Sequence, residues 1–207
     1  MVNLLKVMTA GCIAAFFVGC ANYAALQDAD VMEKEKGSFG IGVSYSSYEF
    51  RTSIDTVSVS SPALNMWYRK GISDKMEAHA NLWLPMGFSL GIKYQLIGSP
   101  KTTGFALSLG LDGGFLQFSG DSSKVSIIDL YVPLYTTFEF SEGFALYIVP
   151  KYIPRIMFGD ESHVQNIVGG TGGIRLGSKT KFLFEGTYGY ILNDEIPVFT
   201  TAFGISF

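Results

Sequence analysis

Charge is scarce in this chain of 207 residues: 15 Lys or Arg and 18 Asp or Glu make up only 16% of it. Soluble globular domains carry roughly 25%. The net charge of −3 leaves no basic stripe for a nucleic-acid partner. Cysteine is nearly absent, with only Cys12 and Cys20 present. If the apolar N-terminal run that holds Cys12 is removed and Cys20 carries lipid, a structural disulfide and a Cys-based metal site are both excluded. That run, residues 7–19, is thirteen residues long, too short for a spanning helix of about 20. A chain poor in charge, cysteine and helix-length apolar runs is a poor soluble enzyme.

What the chain has instead is glycine and aromatics: 24 Gly, 17 Phe and 11 Tyr. From Ser38 onward, apolar residues alternate with small or polar ones at period two, the mark of strands with two unlike faces. Phe39, Ile41, Val43 and Tyr45 alternate with Gly40, Gly42, Ser44 and Ser46. Phe88, Leu90, Ile92 and Tyr94 alternate with Ser89, Gly91, Lys93 and Gln95. Continued to the end, the pattern predicts ten strands joined by turn-rich pieces. Eight strands is the alternative, if the first hairpin or the proline-bearing strand fails. Pro133, Pro150 and Pro154 fall inside strands and donate no ladder hydrogen bond.

Alternation alone does not separate a membrane barrel from a soluble one, but the charges do. Arg69, Lys93, Lys151, Arg155 and Arg175, with Glu77, Asp112, Asp129, Glu139 and Glu185, lie well inside strands. All ten share a face with Gly, Ser, Asn and Tyr rather than with the Leu, Ile and Phe set. Lys or Arg on a lipid-facing surface costs about 2–4 kcal/mol at the bilayer midplane, and this segregation is what such a cost produces. The apolar face is therefore expected to meet lipid and the charged face to line a lumen. Five cations balance five anions there, which predicts pairing and a lumen filled by side chains. An open selective pore would show a ring of one sign.

At this point the chain resembles the small bacterial outer-membrane β-barrel proteins of the OmpA, OmpX and OmpW type, over residues 38–207. The specific element is the ending Phe203-Gly204-Ile205-Ser206-Phe207. The resemblance implies a closed up-and-down antiparallel transmembrane β-barrel in the bacterial outer membrane. It also implies that Phe203, Ile205 and Phe207 are read by the barrel-assembly machinery. An even strand number puts both termini on the periplasmic side. The expected outer loops, 51–56, 85–87, 119–124, 159–164 and 192–195, are all short.

The N-terminus reads as an export signal. Lys6 precedes the apolar run, as in a signal peptide, and Phe17-Val18-Gly19-Cys20 resembles the lipobox of bacterial lipoproteins. That resemblance implies a signal peptide over 1–19, a covalent lipid on Cys20 and the lipoprotein-sorting machinery as a partner. Residues 20–37, with the charged run Glu33-Lys34-Glu35-Lys36, are expected to form a lipidated tether or short helix, with a plug in the barrel as an alternative. Residues 38–207 form the barrel.

Residues able to do chemistry are few. The two histidines are His79, in the lumen phase beside Glu77 and Asn81, and His163, in an outer loop near Asp160 and Glu161. A barrel lipase or protease would need His with Ser or Asp at the rim, and His163 with Asp160 is the one such pair. Gly169-Gly170-Thr171-Gly172-Gly173 lacks the ending of a phosphate loop and suits close packing of a bulky neighbour such as Tyr131, Tyr135 or Tyr147. The expectation is a non-enzymatic barrel with no catalytic site, metal or cofactor beyond the lipid, embedded in outer-membrane lipids. Its role would be structural, in membrane integrity, with a largely closed lumen. The competing readings are a narrow channel or transporter for a small or hydrophobic solute, a lipid-modifying barrel enzyme, and a soluble lipocalin-like lipoprotein with the apolar face inward.

Overall fold

In the computed structural model, which describes residues 23–51, 56–84, 87–98, 104–119, 124–158 and 162–207, every regular element is a strand. There are ten: β1 Gly37–Arg51, β2 Thr56–Ser73, β3 Met76–Leu84, β4 Gly87–Ile97, β5 Gly104–Ser119, β6 Lys124–Ser141, β7 Phe144–Phe158, β8 His163–Leu176, β9 Lys181–Ile191 and β10 Ile196–Ser206. Each pairs antiparallel with its sequence neighbours, and β1 pairs with β10 to close the barrel. Closure removes the unpaired edges that an open sheet would present. The mouth that carries Gly37 and Phe207 is called the terminal mouth here, and the opposite one the distal mouth. Of the expected outer loops, 192–195 lies at the distal mouth, and 52–55, 85–86, 120–123 and 159–161 lie outside the described residues.

The alternation sets the two faces as the charge pattern required. Leu90 (61% exposed), Val43, Ile148 and Phe199 stand on the outside among many other large apolar side chains. Trp67, Trp83 and eight of the ten strand charges are buried within, and Glu139 and Lys151 are half-buried on the same face. A soluble lipocalin-like arrangement needs the reverse, so that reading is overturned. Phe203, Ile205 and Phe207 lie along the closing seam: Phe203 pairs with Val43 and Ile205 with Ile41. The Phe207 N–H donates to the Phe39 carbonyl at 2.8 Å, and the Phe203 and Phe184 rings lie 4.9 Å apart.

The prolines leave their mark on β6 and β7 without breaking either strand. The β6–β7 pairing jumps from Asp129↔Arg155 to Val132↔Tyr152, and again from Pro133↔Lys151 to Thr136↔Ile148. On the β5 side it jumps from Leu109↔Leu134 to Asp112↔Tyr131. Pro150 and Pro154 remain paired with Gly170 and Asn166 of β8. They have the same parity in the strand, so both missing N–H groups face β6. Pro133 weakens the other side of β6 in the same way. β6 is therefore the most loosely laddered strand of the wall.

The main correction concerns residues 20–37. No helix and no external tether forms over residues 23–36; the segment is irregular and enters the barrel from the terminal mouth. Tyr23, Leu26, Gln27, Asp28, Ala29 and Val31 are buried, each 3% exposed or less. Lys34 forms a parallel bridge with Gly71, and the Gly71 N–H donates to the Lys36 carbonyl at 2.9 Å. A Cβ at position 71 would sit 2.1 Å from the Glu33 carbonyl oxygen, so only glycine lets the segment approach there. A helix would satisfy its own backbone. Here the wall supplies the partners instead. The signal segment and Cys20 lie outside the described residues.

The face assignment yields a first expectation. Leu90→Arg should lose about 2–4 kcal/mol of folding stability, read as a lower urea midpoint in lipid vesicles, while Leu90→Phe stays near wild type. Equal behaviour of the two variants would refute an outward position for Leu90.

Candidate functional site in the barrel lumen

The interior is layered along the barrel axis. At the terminal half lie most of the charges. Glu77 accepts from Arg69 Nε at 2.9 Å and lies 3.0 Å from Lys93 Nζ, and Arg175 pairs with Glu139. Nearer the distal mouth, Asp129 takes a two-pronged contact from Arg155, both bonds 2.8 Å, and accepts from the Tyr131 hydroxyl at 3.0 Å. Planar guanidinium against carboxylate is the strongest geometry for such a pair.

The other expected lumen charges find partners that strand phase alone did not indicate. Asp112 lies 2.7 Å from His79 Nε2, a pairing across two strands of the wall. Glu185 accepts from the Tyr147 hydroxyl at 2.8 Å and from the Ala25 N–H at 2.9 Å. Lys151 donates to the Tyr23 carbonyl. The balance of five against five omitted Lys181, Asp28 and Asp30. Asp28 and Asp30 both accept from Arg175, and Lys181 Nζ lies 3.8 Å from Asp28.

The plug is held along its whole length. The Ala29 N–H donates to Thr137 Oγ1 and the Met32 N–H to Glu77 Oε2, both at 2.8 Å. Lys93 Nζ donates to the Asp28 and Asp30 carbonyls at 2.8 and 3.0 Å, and Ser108 donates to the Ala29 carbonyl. Leu26 packs with Trp67 in the lumen, and that ring lies against Gly40 and Gly204, where a Cβ would fall 2.1 and 2.6 Å from it.

Toward the distal mouth the lumen face turns apolar, which the strand reading did not expect. Leu116, Ile127, Ile153, Ile167, Ile191 and Val198 form one buried cluster with Tyr23 and Trp83. Ile153 shares its phase with Arg155, and Ile127 with Asp129, so the charged residues do share a face with Leu and Ile here. This layer lies above the plug tip. Between it and the charged half is a cavity of about 40 Å³, lined in part by Gln27, Trp67, Asn81, Trp83, Asp112 and Lys151. That is room for about three water molecules.

His79 is committed to Asp112, and its Nδ1 has no hydrogen-bond partner. His163 is exposed at the start of β8, and Asp160 and Glu161 lie outside the described residues. No group of three or more metal-ligating side chains occurs among the described residues. Within the glycine run, Gly173 lies under Tyr147, whose ring would be 2.2 Å from an added Cβ. Tyr135 and Tyr131 instead pack over Gly110 and Gly114.

Breaking a buried ion pair on one side leaves a charge without compensation, at a cost of about 3–5 kcal/mol. Arg155→Met should therefore destabilise the barrel strongly, while Arg155→Met with Asp129→Leu should recover much of the loss. Urea unfolding followed by tryptophan fluorescence checks this; a double variant no better than the single would remove the pair from the account of stability.

No protein-family model and no curated protein matches the chain. Several solved structures are similar to it in fold. Ail, the attachment invasion locus protein of Yersinia pestis, is 14% identical across 85% of this chain and 100% of that one, with a TM-score of 0.40. Neisserial surface protein A is 9% identical across 83% and 98%, with a TM-score of 0.43. The outer membrane protease OmpT of Escherichia coli is 11% identical across 88% and 99%, with a TM-score of 0.40. These likenesses concern architecture alone. In fold, the chain is a closed ten-stranded antiparallel β-barrel with an apolar outer face and a charged interior.

Proposed function

We propose that this protein is an outer-membrane β-barrel lipoprotein with a structural role in membrane integrity, its lumen closed by its own N-terminal segment. One observation carries the reading: residues 23–32 fill the lumen and are bonded to the wall at both backbone and side-chain level. The apolar layer around Ile153 and Ile191 supports closure at the other end. The apolar outer face suits outer-membrane lipids as the surrounding medium. The seam of Phe203, Ile205 and Phe207 suits recognition by the barrel-assembly machinery. The terminal mouth, with Phe207, would face the periplasm; residues 36 to 23 run from it up the lumen, so that Tyr23 lies in the distal apolar cluster and the N-terminal end points away from that mouth.

The lipid on Cys20 and a lipoprotein-sorting partner belong to the same proposal. Tyr23 is buried in the lumen and Cys20 precedes it by three residues, at most about 11 Å of chain. An acyl group on Cys20 would therefore start within about 11 Å of the buried Tyr23, so acylation and seating of the plug would constrain one another.

A second reading, a narrow channel or transporter for a small or hydrophobic solute, draws on the interrupted ladders of β6. A strand held by fewer hydrogen bonds is the natural place for the wall to part.

Planar-bilayer recording of the full-length, folded protein separates the two. Folding is checked by heat-modifiable gel mobility. The closed reading expects no steady openings; steady conductance would transfer the function to the second. Cys20→Ser should abolish acyl labelling and leave the folded gel band in place, whereas labelling that persists would place the lipid elsewhere or nowhere.

A further inference from the structure

We infer that the terminal half of the lumen is a binding site for an acidic peptide, a site that residues 23–32 occupy in cis and that a carboxylate-bearing peptide can occupy in trans. The inference rests on the closed-lumen reading and deepens it.

Charge is the first argument. Arg69, Lys93, Arg175 and Lys181 converge here, and among the described residues the wall opposes them with Glu77 and Glu139, while Glu185 deeper in the lumen is offset by Lys151. The imbalance is made good by Asp28 and Asp30 of the plug. With the segment seated, Arg69, Lys93 and Arg175 are each 5% exposed or less, so water screens their contacts with its carboxylates poorly. Without the plug's two carboxylates, this half of the wall is left with two uncompensated positive charges. Arg175 also keeps one donor in hand, since its Nε is buried with no hydrogen-bond partner.

The backbone contacts are the second argument, and they make the ligand a peptide rather than any anion. Wall oxygens of Glu185, Thr137 and Glu77 accept from the N–H groups of Ala25, Ala29 and Met32. Wall donors Lys93, Arg69 and Ser108 serve the carbonyls of residues 28–30. Acceptors for N–H and donors for C=O therefore both line the path, as they do where an extended strand is recognised by its main chain. A lone dicarboxylate would leave those wall groups without partners.

The only two tryptophans in the chain, Trp67 and Trp83, both line the cavity at the plug, so their fluorescence reports access to the lumen. The full-length folded protein is titrated with acrylamide, iodide and caesium. In the wild type all three should quench weakly. In Asp28→Asn/Asp30→Asn, iodide quenching should rise at least threefold and exceed that of caesium. Added peptide of the sequence Tyr-Ala-Ala-Leu-Gln-Asp-Ala-Asp-Val-Met should restore protection, and the same peptide with Asn at both Asp positions should need at least tenfold more. Asp30→Asn alone serves if the double variant does not give the heat-shifted folded band.

Strong acrylamide quenching of the wild type would overturn the closed lumen, and this inference with it. A protected wild type with an unchanged variant would overturn the role of the two carboxylates alone. Caesium quenching equal to or above iodide would deny the cationic character of the site. Equal protection by both peptides would deny recognition of the acidic side chains.

Discussion

A charge inside a narrow lumen must find a partner, and most of the interior of this barrel follows from that requirement. Ten strands enclose too little space to hydrate Arg155, Lys93 and Glu77 freely, and each is almost wholly shielded from solvent. Arg155 is answered by Asp129 within the wall. Glu77 answers two cations at once, Arg69 and Lys93. Those exchanges still leave the terminal half positive, and the N-terminal segment enters with the missing carboxylates. The plug is thus part of the electrostatic closure of the fold as well as a steric stopper.

The same constraint explains the layering. Charged pairs are expensive to desolvate, and an apolar layer is the cheaper way to exclude water where no segment of chain fills the space. The isoleucines above Tyr23 do this at the distal side. Below them, glycines let large rings lie flat on the wall: Trp67 crosses Gly40 and Gly204, and Tyr147 crosses Gly173. A lumen built this way holds a small cavity beside Lys151 and Asp112.

Rigidity is distributed unevenly around the wall. The β1–β10 seam that closes the barrel is paired without a break from Gly40↔Ser206 to Tyr48↔Val198. The loosest ladders flank β6, where three prolines withhold donors. β6 also carries Asp129, Tyr131 and Tyr135, which face the plug and the cavity. A wall that yields at β6 would therefore disturb the lumen contents first, whatever passes or does not pass through it.

Strand number, the two faces and the positions of the turns were legible in the sequence because they depend on neighbours one or two residues away. Period-two alternation and the cost of a cation in lipid act locally, so Leu90 and Lys93 declare their sides without knowledge of the fold. The ten wall charges were legible for the same reason. Their partners were not: Arg175 meets Asp28 across 147 positions of sequence and Asp112 meets His79 across 33, and alternation carries no information about which strands face one another across a closed barrel. The distal apolar layer was hidden because Ile127 and Ile153 read as outward-type residues, whereas burial rewards an apolar side chain on either face once water is excluded. The plug was the least legible part. Residues 23–36 have no periodicity to read, since their backbone is satisfied by the wall and not by itself. Only the closed barrel, by gathering Arg69, Lys93, Arg175 and Lys181 into one space, gives Asp28 and Asp30 a reason to be inside.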